Sequence, residues 1–137
     1  MLDFVRGACA VPAVRVGDTK KVASDICVFL KRADDQNVDL LVFPEMALTG
    51  YTCQDLFFQE ALHEGVKQGL REILGASAAC PAVTAVVGLP ARMGDRMFNC
   101  AAVISGGEVR GIVPKSSIPN YNEFYEKRWF ASGDELT

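Results

Sequence analysis

Leu40-Leu41-Val42-Phe43 is an uninterrupted apolar run that follows Asp39 and ends at Pro44. Four to five apolar residues closed by a proline are too few for a core helix and suit a short strand buried on both faces. Upstream, the stretch from about Asp18 to Asn37 carries Val22, Ile26, Phe29, Leu30 and Ala33 at helical spacing. Before it, Asp3 to Val11 reads as a first strand. Strand, helix and buried strand in this order predict a βαβ unit, so the run at 40–43 commits the chain to an α/β layer.

Downstream, a loop over Pro44 to Thr52 leads to a second helix from about Gln54 to Ala76. Its apolar positions are Leu56, Phe57, Leu62, Val66, Leu70, Ile73 and Leu74, and Pro81 stops it. Val83 to Leu89 is a further apolar strand. Met97 to Ile104 pairs with Glu108 to Val113 across Gly106-Gly107, a strong hairpin signal. The order β-α-β-α-β-β-β predicts an α/β fold with a mixed sheet and flanking helices. No repeat and no linker divides the 137 residues, which read as one unit. The last residues, Gly133 to Thr137, follow without a closing strand or helix.

A hydrophobic fraction of 50% is enough for a core and argues against disorder. The net charge of −3, with Lys and Arg scattered singly, supplies no footprint for nucleic acid or anionic membrane. The least charged stretch, Cys80 to Pro90, is too short to span a bilayer, and the N-terminus lacks a signal pattern, so a cytoplasmic protein is expected. The five cysteines, at 9, 27, 53, 80 and 100, form no C-x-x-C pair, which argues against disulfides and zinc. The one histidine, His63, lies in a polar helical stretch and reads as a solvated surface residue. Neither a P-loop nor a G-x-G-x-x-G fingerprint is present.

Three places could carry chemistry. Glu45 directly follows the buried strand, where open α/β sheets put their ligand loops, and a carboxylate there suits a general base. Its position alone describes an exposed loop glutamate at least as well. Lys115 ends the hairpin strand beside Pro114 and could supply charge to an oxyanion, although a solvated lysine is the default for one residue of this kind. The group Tyr121, Glu123, Phe124, Tyr125, Glu126 and Trp129 can line a polar pocket, or can be a surface loop with its aromatics turned inward.

Taken together, the segments Val42-Phe43-Pro44-Glu45, Leu48-Thr49-Gly50-Tyr51, Asp55-Leu56-Phe57, Val87-Gly88-Leu89-Pro90, Phe98-Asn99-Cys100-Ala101 and Pro114-Lys115 resemble the carbon-nitrogen hydrolase (nitrilase) superfamily. Its catalytic set is a glutamate, a lysine and a cysteine in that chain order. Leu48-Thr49-Gly50-Tyr51 followed by Asp55-Leu56, and especially Ile118-Pro119-Asn120-Tyr121 with Glu123-Phe124-Tyr125-Glu126-Lys127-Arg128, look like the glutaminase domain of the glutamine-dependent NAD synthetase branch.

The resemblance implies an α-β-β-α sandwich of which this chain forms part. It makes Glu45 the general base, Lys115 the oxyanion stabiliser and Glu123 a second active-site glutamate. Tyr51, Tyr121 and Phe124 would shape the glutamine pocket, and Asn120 and Arg128 would be structural. The chain departs from the family at the nucleophile, because no cysteine follows Lys115. Cys53 precedes the lysine and reads as a partly buried loop thiol; Cys9, Cys27, Cys80 and Cys100 read as small core residues.

The implied function is hydrolysis of glutamine to supply ammonia for NAD synthesis from deamido-NAD, with residues 1–137 an inactive front part of the hydrolase domain. The fragment itself would need no cofactor. ATP and magnesium would serve a synthetase domain outside it, and an uncovered sheet face would favour homo-oligomers. The alternatives are another carbon-nitrogen hydrolase, such as an amidase or carbamoylase, and a binding module without catalysis.

Overall fold

The apolar positions at helical spacing are the ones that become core. Val22, Ile26, Leu30 and Ala33 are all buried on α1 (Thr19–Asp35), whose first turn is capped by the Asp18 carboxylate accepting from the Lys21 N–H at 3.1 Å. In this computed structural model, which describes residues 4–136, α1 lies between β1 (Gly7–Cys9) and β2 (Leu40–Val42). The chain continues through α2 (Glu60–Ala79), β3 (Thr84–Met93), β4 (Arg96–Ser105) and β5 (Glu108–Pro114). The five strands form one sheet in chain order. β1, β2 and β3 run parallel, while β4 and β5 are added antiparallel. The architecture is therefore the mixed α/β sheet that the sequence predicts.

Register decides what each face carries. Leu41, Ala85, Ile104 and Val109 stand in one row across β2 to β5. Val87 is paired with Ala102, and Leu89 with Cys100. Leu41, Ala85, Val87, Leu89, Cys100, Ala102 and Ile104 form the main core with α1 and with Val66 and Ile73 of α2, so both helices cover the same side. The opposite side presents Leu40, Val42, Val86, Val103 and Val113, and among the described residues no helix covers it.

Several expectations change here. β2 is not buried on both faces: Leu41 and Phe43 are buried, but Leu40 is 36% exposed, because the second face has no layer over it. The helix expected from Gln54 breaks into a 3-10 turn (Gln54–Phe58) and α2, since Gln59 turns extended, with ψ at 126°. That break explains His63, which is buried rather than solvated. Its Nε2 lies 2.7 Å from the Phe57 carbonyl oxygen, one of the groups the interrupted helix leaves without an intrahelical partner.

The first strand is shorter than expected, and Asp3 lies outside the described residues. β3 and β4 are longer and meet in a hairpin at Gly94-Asp95, with Met93 paired to Arg96. The expected turn at Gly106-Gly107 is present, with φ of 59° and 82°, as a two-residue turn with two left-handed positions requires. Of the cysteines expected in the core, Cys80 and Cys100 are buried, whereas Cys27 is half-buried and Cys9 is exposed on the open sheet face.

Ile26 is fully buried where α1 meets the sheet and tests the packing on that side. Ile26→Ala should lower unfolding free energy by about 2–5 kcal/mol, read from urea titration, because a rigid α/β core does not collapse onto the missing methyl groups.

Candidate active site

The turn that follows β2 places Glu45 at the open face. Its backbone is locked by close approach: the Leu48 N–H donates to the Gly88 carbonyl at 3.1 Å, and the Gly50 N–H to the Met46 carbonyl at 2.8 Å. Met46, fully buried, holds a left-handed φ of 52°, an unusual conformation for a side chain of this size. Only a glycine fits beneath this turn. A Cβ on Gly88 would lie 2.5 Å from the Pro44 carbonyl oxygen and 2.9 Å from the Glu45 carbonyl carbon.

Lys115 is the first residue after β5, and its N–H donates to the Asn99 carbonyl at 2.8 Å, which extends the strand pairing by one step. Its ammonium lies between two carboxylates, 2.8 Å from Glu45 Oε1 and 3.1 Å from Glu126 Oε2. Asn99 Nδ2 also donates to Glu45 Oε1. The Tyr51 hydroxyl donates to Glu126 Oε1 at 2.6 Å. Five side chains from β4, the end of β5 and two loops thus form one connected polar group.

Glu126 is only 2% exposed. Such a carboxylate is costly unless paired, and Lys115 with Tyr51 pairs it. For Lys115, burial on its own would depress the pKa; the hydrogen bonds it donates to Glu45 and Glu126 outweigh it, and the net shift is upward. Lys115 therefore remains an ammonium at neutral pH and suits charge stabilisation, not proton abstraction. Burial, then the bond to Glu126, drives the Tyr51 pKa upward, so its phenol remains a donor.

The residues after Lys115 return over the site because a small second core anchors them. Phe130 packs edge-on against Phe57 at 5.0 Å between ring centres, beside Met46, Cys53, Leu62 and Met97. On the surface, Arg128 forms a two-point pair with Asp55, at 2.8 and 2.7 Å, and the Trp129 indole donates to the same carboxylate at 3.0 Å. Arg128 first, then Trp129, lowers the Asp55 pKa to about 2.

Glu45 and Lys115 are thus in direct contact. Glu123 is exposed, and Glu126 occupies the place beside Lys115 that the sequence reading gave to Glu123. The two glutamates are three residues apart in irregular chain, so spacing could not separate them. Tyr51, Glu123 and Phe124 line a cavity of about 230 Å³ next to Glu126. Tyr121 is 65% exposed; it packs against Phe124 and does not line that cavity. Asn120 is exposed.

Sequence reasoning also gave no role to Asn99. The available signal was a polar residue inside the apolar run Met97-Phe98-Asn99-Cys100-Ala101. A groove of about 400 Å³ runs from Glu45, Asn99 and Lys115 along Val42, Val86 and Val113 of the open face. A larger depression of about 680 Å³ between Phe58, Arg96 and Trp129 contains neither Glu45 nor Lys115.

Cys27, Cys53, Cys80 and Cys100 are not set up as nucleophiles at this pair. Burial is the leading cause of a raised thiol pKa at Cys27, Cys53, Cys80 and Cys100, the reverse of thiol activation. Cys53, expected to be partly buried, is 1% exposed and donates to the Thr49 carbonyl at 3.1 Å.

Two outcomes test this geometry. Gly88→Ala should destabilise the fold by roughly 1–3 kcal/mol in urea, since backbone and not a yielding side chain meets the new methyl; Gly111→Ala, where a Cβ meets open space, should change far less. The second concerns acid. A carboxylate whose folded pKa is depressed contributes above its unfolded value of 3.8 and ceases to as pH falls through about 2. Fluorescence of Trp129, the single tryptophan, should therefore change over that interval, and Asp55→Asn should abolish the step while lowering stability at neutral pH.

The chain is 38% identical to glutamine-dependent NAD(+) synthetase of Mycobacterium leprae over 132 residues, which is 96% of this chain and 19% of the relative. The corresponding protein of Xylella fastidiosa is 33% identical over 95% of this chain and 24% of its own length. The chain thus spans about a fifth of the curated relatives it matches. Among solved structures, a glutamine-dependent NAD(+) synthetase from Cytophaga hutchinsonii superposes with a TM-score of 0.82 at 29% identity, over 93% of this chain and 22% of that one. A nitrilase-superfamily amidase from Nesterenkonia AN1 shares the fold, with a TM-score of 0.81 at 24% identity over 94% of this chain and 48% of its own. The carbon-nitrogen hydrolase profile matches residues 7–137, and the chain belongs to that family.

Proposed function

We propose that this chain carries the base and the oxyanion-stabilising part of a glutamine-hydrolysing site, whose ammonia serves NAD synthesis in a longer protein. The observation that carries the reading is the Lys115 ammonium held between Glu45 and the buried Glu126, with the Glu45 carboxylate still 44% exposed toward the groove. The relatives named above are glutamine-dependent synthetases, which supports glutamine as the substrate.

In this proposal Glu45 takes the proton from a cysteine thiol, and the thiolate adds to the side-chain amide carbon of glutamine. The carbonyl oxygen becomes an oxyanion that Lys115 stabilises. Glu45 returns the proton to the leaving nitrogen, ammonia departs, and water hydrolyses the thioester to glutamate. Glu126 and Tyr51 hold the lysine, and Tyr51, Glu123 and Phe124 supply the wall of the substrate cavity. The nucleophile comes from sequence after residue 137. ATP and magnesium act in a synthetase domain that is likewise outside this chain. A cytoplasmic location and self-association through the open sheet face complete the reading; no described helix is long and apolar enough to cross a membrane.

A second reading, a simple amidase, is favoured by the fold shared with the Nesterenkonia enzyme. The reading frame separates the two. Continuation past the codon for Thr137 through a strand ending in a cysteine and then a synthetase domain supports glutamine-dependent NAD synthesis, and continuation without a second domain supports the amidase. The purified 137-residue chain should release no glutamate or ammonia from glutamine, since loss of a catalytic nucleophile costs many powers of ten in rate. Glutamine hydrolysis by the pure chain, lost on alkylation of its thiols, would overturn the proposal.

A further inference from the structure

Glu45 Oε1 accepts from both Asn99 Nδ2 and the Lys115 ammonium. The other oxygen, Oε2, accepts no hydrogen bond among the described residues. Asn99 is 3% exposed, in a strand whose neighbours Phe98 and Cys100 face the helix-covered core. It is tied to the lysine as well, because its carbonyl accepts the Lys115 N–H. One residue of β4 therefore fixes the carboxylate through its side chain and the lysine through its backbone.

We infer that Asn99 is a positioning residue of the hydrolytic site: it holds Glu45 Oε1 onto Lys115 and so leaves Oε2 as the oxygen that receives the nucleophile's proton. The inference rests on the function proposed above and adds to it the division of labour between the two oxygens. A carboxylate free to rotate would present either oxygen to the lysine, and its basic lone pairs would be taken up by the ammonium for part of the time. The rigid sheet carries Asn99, so a donor from β4 removes that freedom. Replacing the donor by a group that cannot donate disfavours the charged carboxylate, whereas a lost packing contact would not.

The test uses this chain, labelled with carbon-13 and nitrogen-15, and follows the Glu45 side-chain carboxyl by NMR across pH. In the unsubstituted chain the Asn99 side-chain NH₂ resonances should shift along the Glu45 titration curve. Asn99→Leu should raise the Glu45 midpoint by half a unit or more, about a threefold change in proton affinity. Asn99→Asp, which keeps the shape and adds a like charge, should raise it further. Cys100→Ala, a neighbouring loss of buried volume, should lower Tm and leave the midpoint in place. Asn99 NH₂ resonances indifferent to the Glu45 titration, or a folded Asn99→Leu with the original midpoint, would overturn the inference. None of these readings needs turnover. A longer reading frame without glutaminase activity would thus remove the proposed function and leave the Asn99 result intact, and an active glutaminase with an unmoved titration would do the reverse.

Discussion

A buried carboxylate must be satisfied, and Glu126 is the one on which this site depends. At 2% exposure it accepts from both the Lys115 ammonium and the Tyr51 hydroxyl. Lys115 is in turn shared with Glu45, so the charge that desolvation makes most costly is linked by a single ammonium to the half-exposed carboxylate at the groove. The segment after β5 is therefore more than a trailing loop. Through Glu126 it sets where the lysine points, and the small core around Phe57 and Phe130 holds Glu126 in place.

The second constraint is steric. The Pro44–Gly50 turn lies directly on β3, and Gly88 lets the two backbones meet. Met46 accepts a left-handed conformation because its side chain is fully buried in the second core. Strain in the turn is thus held by packing, and the result is a carboxylate aimed across the strand ends at β4 and the end of β5. The parallel part of the sheet supplies Glu45 and the antiparallel part supplies Asn99 and Lys115, so the site exists only where the two pairings join in one sheet.

Chemistry follows from these two constraints. Two carboxylates raise the Lys115 pKa against its partial burial, so the lysine stays charged. From this pair the groove runs on along Val42, Val86 and Val113. Burial, meanwhile, keeps four of the five thiols in their less reactive form. The charges at this site are those that the proposed base and oxyanion roles require.

Much of this was written in local pattern. The stripe of α1, the β2 run ending at Pro44, the Gly106-Gly107 hairpin and the strand-end positions of Glu45 and Lys115 all follow from periodicity and turn chemistry, which act over a few residues. Local pattern failed where partners are remote. It made β2 a strand buried on both faces, since hydrophobicity reports preference for burial but not whether a covering layer is present. It left His63 in solvent, because the Phe57 carbonyl that binds it is released only by a break at Gln59. The family resemblance named Glu123, and nothing local distinguishes it from Glu126, three residues on in an irregular loop. Asn99 and Glu126 acquire their meaning from contacts 54 and 11 residues away in the chain, Asn99 with Glu45 and Glu126 with Lys115. The amino-acid sequence determined the elements and singled out Glu45 and Lys115, the two residues that meet at the strand ends. The tertiary structure alone decided which polar groups meet that pair, because burial and pairing are properties of the assembled sheet.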